Sequence, residues 1–374
     1  VLNVPHLRFP EFNGEWETKL INDLAVVIGG GTPDTTIKSY WDGEIQWFTP
    51  SEIGKNKYVD SSLRTITEEG LNNSSAKLLP PNTILLSSRA TIGECSLSLR
   101  ECATNQGFQS LVSKKCYVDF LYYLIQTKKR DLIRKSCGST FLEISANEVR
   151  KIQVSVPTDV EQQKIAGLLS LIDERIATQN KIIEDLKKLK SAISLKMLHS
   201  DSWEQFKIQD IASIGRGRVI SSVEISQQEN PLYPVYSSQT SNDGIMGYLD
   251  DFMFEGEYIS WTTDGANAGT VFYRNGKFNC TNVCGLLKLK KGFDAHFVSL
   301  VLAEATRMYV STNLANPKLM NNTMGNIQIR LPKLEEQKRI SVVFRKLHGL
   351  LETHNSLIIK YSKQKQYLLS QMFI

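Results

Sequence analysis

The sequence lacks the features that mark membrane, secreted and zinc-binding proteins. It contains no run of about 18 apolar residues, and its opening VLNVPHLRFP lacks a charged head followed by an apolar stretch. We therefore expect neither a membrane span nor a secretion signal, and we expect a cytoplasmic protein. Six cysteines occur without C-x-x-C spacing or nearby histidines, so we expect reduced, mostly buried thiols and no metal site. They are Cys95, Cys102, Cys116, Cys137, Cys280 and Cys284.

Positive charge is concentrated in two segments of the chain. The net charge is +5, of which residues 160–200 contribute +2 and residues 333–374 contribute +5, which leaves −2 for the remainder. A protein that coats nucleic acid would carry a basic surface throughout. The distribution argues against such a protein.

The two basic segments are copies of one another. EQQKI at 161–165 recurs as EQKRI at 336–340, and identical residues recur 175 positions apart along the segment without a gap. Because chance similarity rarely extends so far without a gap, we infer an internal duplication. The matching residues of the first copy are Pro157, Glu161, Gln162, Ile165, Thr178, Asn180, Ile183, Lys188, Lys190 and Met197.

Each copy has the apolar spacing of a long helix with one apolar face. The positions alternate by four and three residues, which is the heptad pattern of a coiled coil, and no proline interrupts either run. The pattern predicts two helices of about 39 residues, each about 58 Å long. We expect them to pair as an antiparallel coiled coil in which Gln179 faces His354; the alternative is that each helix packs only on its own domain. The predicted seam is Ile165, Leu169, Ile172, Ile176, Gln179, Ile183, Leu186, Ile193, Met197, Ile340, Phe344, Leu347, Leu351, His354, Ile358, Tyr361, Leu368 and Met372.

The segments before the two helices are also duplicated. WETKLINDLA begins at Trp16 and WEQFKIQDIA at Trp203, and ATNQGFQSL later corresponds to CTNVCGLLKL. Glycine-containing turns followed by alternating or β-branched runs predict strands, and amphipathic stretches near 119–135 and 294–309 predict helices. The predicted order is a globular domain at 1–157, a long helix at 158–200, a globular domain at 201–332 and a long helix at 333–374.

This order, together with LRFPEFNGEW, GGTPDTTIKSYWDGEIQWFTPSEI, SSRATIGE, TNQGF and the two EQ helices, resembles the specificity subunit of Type I DNA restriction-modification enzymes. The resemblance covers essentially the whole chain. It implies an α+β fold with two mixed α/β target recognition domains separated by an antiparallel two-helix coiled coil, in an internal pseudo-twofold repeat. One departure is the start at Val1, and we expect the true first residues to be missing.

The resemblance also implies a function. Each target recognition domain would bind one half of a bipartite double-stranded DNA site, while the coiled coil sets the spacing and docks two methyltransferase subunits. Two restriction subunits can join. The chain itself then binds no cofactor, because S-adenosylmethionine belongs to the adenine methyltransferase, and ATP and Mg belong to the restriction subunit. No membrane partner is implied.

The residues give little support for catalysis by the chain itself. Methyltransferases carry an N-P-P-F or D-P-P-Y type loop, and the nearest match, NPKL at 316–319, lacks the second proline and the aromatic. The glycines at 29–31 do not form the G-x-x-x-x-G-K-S/T loop, and Gln46 stands where a nuclease pattern needs lysine. The residues favour a non-catalytic chain over a self-contained methyltransferase or nuclease. A stand-alone DNA-binding or scaffolding coiled-coil protein remains as the alternative.

DNA contacts are expected from arginine and from polar side chains on loops, with lysine and arginine on phosphates. Trp47 also fits a core role, Asn105 fits a turn-capping role, and Arg216 and Arg218 fall in a predicted flexible basic loop. The first-domain candidates are Trp47, Thr49, Ser51, Arg89, Thr91, Asn105 and Gln106. The second-domain candidates are Arg216, Arg218, Ser237, Ser238, Gln239, Thr240, Asn267 and Lys318.

Overall fold

The computed structural model describes residues 3–138, 142–311 and 316–374. The expectation that residues before Val1 are missing concerns positions outside the described residues, so it stays an expectation. Contacts divide the chain into two units, Val1–Ile182 together with His354–Ile374, and Ile183–Thr353. Each unit combines one globular segment with part of both long helices, so the predicted boundaries at 157, 200 and 332 stay a prediction.

Two main sheets form the first unit. The strand order is β2-β9-β6-β7-β4 in one sheet and β5-β3-β8 in the other, while β1 pairs antiparallel with β10. The strands are β1 (Glu17–Leu20), β2 (Ala25–Gly29), β3 (Trp41–Phe48), β4 (Tyr58–Val59), β5 (Arg64–Ile66), β6 (Ile84–Leu86), β7 (Cys95–Ser98), β8 (Cys102–Thr104), β9 (Gln109–Ser113) and β10 (Gln153–Val156). Because β1 and β10 come from opposite ends of the segment, their pairing closes it before the first long helix begins.

Short helices cover the sheets of the first unit, and one long helix follows them. They are α1 (Ile21–Leu24), α2 (Glu68–Asn72), α3 (Val118–Thr127), α4 (Lys129–Arg134), α5 (Ala146–Arg150) and α6 (Asp159–Met197). In α3, Phe120 and Tyr123 are fully buried and share a core with Trp16 and with Leu169 of α6. The long helix is therefore joined to the globular segment by a common apolar core.

The second unit repeats this arrangement with two four-stranded sheets. Their orders are β12-β19-β16-β17 and β14-β13-β18-β15, and β11 pairs antiparallel with β20. The strands are β11 (Glu204–Lys207), β12 (Ala212–Arg216), β13 (Tyr233–Tyr236), β14 (Ile245–Leu249), β15 (Phe254–Glu255), β16 (Tyr258–Thr262), β17 (Val271–Arg274), β18 (Lys277–Cys280), β19 (Cys284–Leu289) and β20 (Gln328–Leu331). The helices are α7 (Ile208–Ile211), α8 (Ser222–Ser226), α9 (Ala295–Ala305), α10 (Asn321–Asn326) and α11 (Leu334–Met372). Its core contains Trp261, Phe297 and Phe344.

The predicted long helices are confirmed, with 39 residues in α6 and 39 in α11. None of the predicted seam residues is exposed, since each is buried or half-buried. The expectation of mostly buried cysteines is also confirmed, because four of the six side chains are buried. No helix within the described ranges has an apolar stretch long enough to cross a bilayer.

Within the first unit, α6 and α11 contact each other through two pairs of polar side chains. His354 Nδ1 lies 2.5 Å from Gln179 Oε1, so the predicted pairing of these two polar breaks is present. Farther along, Lys365 forms a half-buried ion pair with Asp173 at 2.8 Å.

A buried glutamine fixes the first turn of each long helix. The Gln162 side chain donates to Pro157 O at 3.0 Å and accepts from the backbone N–H of Tyr117 at 2.9 Å. In the second unit, Gln337 donates to Pro332 O at 2.8 Å and accepts from the N–H of Asp294 at 3.0 Å. This shared bond pattern accounts for the repeated EQ motif, because it connects the start of each long helix to the segment that leads into α3 or α9.

Replacing Gln162 by alanine should lower the free energy of unfolding by about 1–3 kcal/mol, since the buried Pro157 carbonyl and the part-buried Tyr117 N–H lose their partner. Thermal and urea unfolding of the full chain would measure the change. The control is Gln163→Ala, one position along on the exposed side of the same turn, which should leave stability nearly unchanged. Equal stability of the two variants would contradict this role.

Candidate nucleic-acid interface

Most first-domain candidates converge on one group of loops. Strands β3 and β8 run parallel with Phe48 opposite Thr104, so the loops that follow them lie side by side. The Asn105 N–H donates to Phe48 O at 3.1 Å, and the Ser88 N–H donates to Gly107 O at 2.8 Å. These bonds bring residues 49–51, 87–91 and 105–107 together, and we call this group the first loop surface.

Exposed polar groups cover the first loop surface. Ser51, Thr91 and Gln106 are exposed, and the Gln106 amide oxygen accepts from the Thr32 hydroxyl. The Arg89 side chain is 42% exposed and forms an ion pair with Glu143 at 2.8 Å. Exposed ion pairs and hydrogen bonds contribute little free energy. Such side chains can therefore exchange these partners for base edges or phosphates at small energetic cost.

Three first-domain candidates have structural partners. Trp47 is only 4% exposed, packs edge-on against Trp41 and donates its indole N–H to Gly31 O. It therefore belongs to the core, and its position does not support the prediction that it contacts DNA. Asn105 caps its own turn by accepting from the Gly107 N–H at 2.8 Å. Thr49 caps a 3-10 turn through hydrogen bonds with Glu52. The last two remain half-exposed beside the surface.

The glycine cluster at 29–31 also belongs to this region. A Cβ added at Gly30 would lie 2.0 Å from Asn105 O and 2.4 Å from Thr104 O, so only glycine allows this close approach of two backbones. The cluster therefore serves packing beneath the first loop surface. It also places Thr32 beside Gln106. Sequence reasoning missed Thr32, although the adjacent glycines indicated a close approach of two backbone segments.

The second-domain candidates surround the turn at Thr281–Val283. The Thr281 N–H donates to Tyr236 O at 2.9 Å, the Arg218 N–H donates to Cys280 O at 3.2 Å, and the Thr263 N–H donates to Val283 O at 3.2 Å. These bonds gather the segments 216–218, 237–240 and 263–267 around the turn. Together with 317–321, they form the second loop surface.

The two arginines are more restrained than the predicted flexible loop implies. Arg216 is the last residue of β12, and its Nε donates to Asn321 Oδ1 at 2.9 Å. Arg218 pairs with both carboxylate oxygens of Glu224, and this hydrogen bonding raises the pKa of Arg218 and lowers the pKa of Glu224. The prediction of a flexible loop is therefore wrong for Arg216, and Arg218 is held by an exposed ion pair.

The turn that follows the candidate segment 237–240 is held by an arginine that sequence reasoning missed. Arg274, 2% exposed, donates to the Asp243 carboxylate at 2.7 Å and to Asp243 O at 2.9 Å, and lies over the Tyr236 ring. This holds a turn in which Asn242 and Asp243 have positive φ, a strained conformation for such residues. Gln239 donates its amide to Ile245 O across the turn. Arg274 was overlooked because its burial depends on tertiary contacts.

Asn267 and Lys318 lie near each other on the same surface. The Gly265 N–H donates to Pro317 O at 3.1 Å, and the Leu319 N–H donates to Thr263 O at 2.8 Å. Asn267 is exposed and Lys318 is half-exposed. Asn282, at the centre of the surface, is also exposed and was not among the candidates, although the TN pair in CTNVC aligns with that in ATNQG.

Some polar atoms near both surfaces have no partner within the described residues. Ser88 Oγ, Thr281 Oγ1 and Asp264 Oδ1 are buried in this way. Among the described residues, no cluster of histidine, cysteine and carboxylate side chains could hold a metal ion. Both surfaces therefore offer hydrogen-bonding groups and charge.

Comparison with known proteins agrees with the presence of two similar segments in the chain. The family model for the Type I restriction modification DNA specificity domain matches twice, at residues 13–188 and 200–360. The chain therefore belongs to the Type I restriction-modification DNA specificity family.

Individual relatives match parts of the chain. It is 39% identical over 180 residues to the Type I restriction enzyme MjaIX specificity subunit of Methanocaldococcus jannaschii, covering 47% of this chain and 42% of that protein. It is 41% identical over 177 residues to the MpnII specificity subunit of Mycoplasma pneumoniae, covering 46% and 53%. The aligned region thus spans about half the length of these relatives.

The fold resembles solved structures over nearly the full length. The crystal structure of a Type I restriction-modification S subunit from M. genitalium superposes with a TM-score of 0.69 at 18% identity, covering 99% of both chains. A chain from a structural study of complex assembly and conformational transition of the type I system gives a TM-score of 0.56 at 15% identity, covering 98% of this chain and 99% of the other. At these identities the likeness concerns the fold.

Proposed function

We propose that this chain is the non-catalytic subunit that selects the DNA target of a Type I restriction-modification complex. The observation that carries the proposal is the double match of one DNA specificity family along a single chain. A chain with two such domains suits a site in two parts, with each loop surface contacting one part. The exposed arginine, glutamine, serine and threonine side chains of these surfaces are types that contact base edges and phosphates.

The long helices are proposed to set the spacing between the half-sites. Half-site separation along a duplex becomes a distance between protein domains, and stiff paired helices hold a distance that a Gly/Ser linker would let fluctuate. The half-buried pairs Gln179–His354 and Asp173–Lys365 support pairing of α6 with α11 as an antiparallel coiled coil. On this proposal the pseudo-twofold repeat presents two similar domains to the two halves of the site.

The chemistry is assigned to partner subunits. Two methyltransferase subunits would dock on the paired helices and use S-adenosylmethionine to methylate adenine, and two optional restriction subunits would use ATP and Mg. Because the segments outside the helices carry a net charge of −2, the partners should supply much of the phosphate contact. The complex would act on chromosomal DNA in the cytoplasm.

Mapping methylated adenines in the host genome, with and without this gene, tests the proposal. We expect a split motif, with two defined halves and a spacer, that disappears on deletion and returns on complementation. An unchanged methylation pattern, or the loss of a single uninterrupted motif, would contradict it. Recovery of the chain from its host without any methyltransferase would favour the scaffolding alternative.

The two loop surfaces should act on separate halves of the motif. Gln106→Ala and Arg89→Ala should relax or weaken recognition of one half only, with about 1–3 kcal/mol lost for each well-formed base contact. The matched control is Arg100→Ala, since Arg100 is also an exposed, ion-paired arginine but follows the far end of β7, away from the Arg89 turn. The measurement is the change at each motif position in the methylation map.

Variants of the second surface complete this test. Arg218→Ala should change the other half of the motif and leave the half affected by Gln106→Ala intact. If variants on both surfaces altered the same half, the assignment of one half-site to each domain would be wrong.

Lengthening both helices should lengthen the spacer. Inserting one heptad after Gln179 and one just before His354 preserves the seam pattern and adds about 10.5 Å at 1.5 Å per residue, or about three base pairs. The expected result is the same two half-sites with a longer spacer in the methylation map. A heptad in only one helix serves as a control and should abolish modification by breaking the register, whereas an unchanged spacer in the double insertion would exclude the helices as its determinant.

A further inference from the structure

The segment before Trp16 fills a groove at the start of the first long helix. Arg8 makes two hydrogen bonds to the Glu161 carboxylate, at 2.7 and 2.8 Å, and one to Gly14 O at 2.6 Å. Glu161 is only 1% exposed, and its carboxylate also accepts from the Trp16 indole N–H at 3.4 Å. The arginine thus supplies the cation that a buried carboxylate requires.

Neighbouring residues of the segment continue along the same groove. Lys164, one turn after Glu161, pairs with Glu11 and lies 4.7 Å from the centre of the Phe9 ring. The Leu7 N–H donates to Gln371 O at 2.9 Å, near the end of α11. The groove is therefore defined by a glutamate, a cation three residues later, a tryptophan and the last turn of the opposite long helix.

The second unit has a matching groove, and no segment of the described ranges 3–138, 142–311 and 316–374 fills it. The counterparts of Glu161, Lys164 and Gln371, 175 residues away, are Glu336, Arg339 and Lys196, and Trp203 corresponds to Trp16. All four line a cleft of about 1090 Å³. The shared bonds of Gln162 and Gln337 show that the helix starts are built alike in the two units.

The side chains of this cleft lack the partners that their counterparts have. Glu336 is exposed, and among the described residues its carboxylate has neither an ion pair nor a hydrogen bond. Trp203 is only half-buried and its indole N–H has no partner within the described part of the chain, whereas Trp16 is 3% exposed. Only residues 198–202 separate the end of α6 from Trp203, so the chain has no spare segment here.

We propose that this cleft docks a linear segment of a partner protein that carries an arginine, an aromatic residue next to it and a glutamate three residues after the arginine. Arg8, Phe9 and Glu11 have this order in the filled groove. The cleft presents the matching charges, with Glu336 for the arginine and Arg339 for the glutamate. Lys333 and Lys196 add positive charge and further favour an acidic residue in the segment. This inference does not depend on which DNA sequence the chain selects.

A labelled peptide with the sequence of residues 3–14, NVPHLRFPEFNG, is the probe, and fluorescence anisotropy with the full chain measures its binding. We expect saturable binding that Glu336→Arg weakens about tenfold or more, because a charge-assisted hydrogen-bonded pair is replaced by repulsion. A peptide with Arg8→Glu should bind the wild-type chain weakly and the Glu336→Arg chain tightly. Reversal of both charges tests pairing directly.

The control is Glu335→Arg, which changes an adjacent exposed glutamate outside the cleft and should leave peptide binding intact. Because none of the residues that line the cleft belongs to either loop surface, DNA methylation patterns report separately on the proposed function. No saturable binding up to about 1 mM peptide, or equal binding by the wild-type and Glu336→Arg chains, would overturn the proposal. Self-association of the chain that Glu336→Arg abolishes would assign the cleft to a second copy and also overturn it.

Discussion

The start of each long helix is held by one buried amide, and the rest of the structure depends on this constraint. Gln162 and Gln337 each connect a proline carbonyl before the helix to a backbone N–H of the globular segment. A primary amide can donate and accept at once, so it fixes two chain segments relative to one another. The bond to the proline carbonyl is buried in both units, which makes its loss costly. The direction in which each helix leaves its domain is therefore set by a side chain that the duplication preserved.

The long helices could be predicted from sequence because their signal is local and repetitive. A heptad pattern sustained over about five repeats specifies a helix and its buried face without knowledge of the partner, and the paired contact of Gln179 with His354 followed from aligning the polar breaks. The strands at 109–113 and 284–289 were also predictable from turn chemistry. The closure of each domain by β1 with β10 and β11 with β20 was not, because strand pairing over more than 100 residues leaves no local pattern.

The individual surface residues were predictable only in part. The turns that carry Arg89, Gln106 and Ser237 were identified correctly as polar loops, and the fold brings each group together through backbone hydrogen bonds. Which side chain faces solvent depends on packing that sequence does not show, as with buried Trp47. Similarly, the position of Arg218 depends on pairing with Glu224, six residues away. A loop can be located from composition, whereas the orientation of its side chains depends on tertiary contacts.

Duplication preserved the framework of the helix starts while the electrostatics of the two grooves diverged. Glu161 and Glu336 occupy the same place in the same motif, yet one is buried and the other exposed. Burial of an ionised carboxylate is unfavourable unless a cation and hydrogen bonds accompany it. Arg8 meets that requirement in the first unit, and the short connection before Trp203 leaves the second unit without an equivalent. A glutamate present in both repeats can therefore be a structural ion pair in one unit and an accessible charge in the other. The difference follows from the segment that precedes Trp16 rather than from the motif itself.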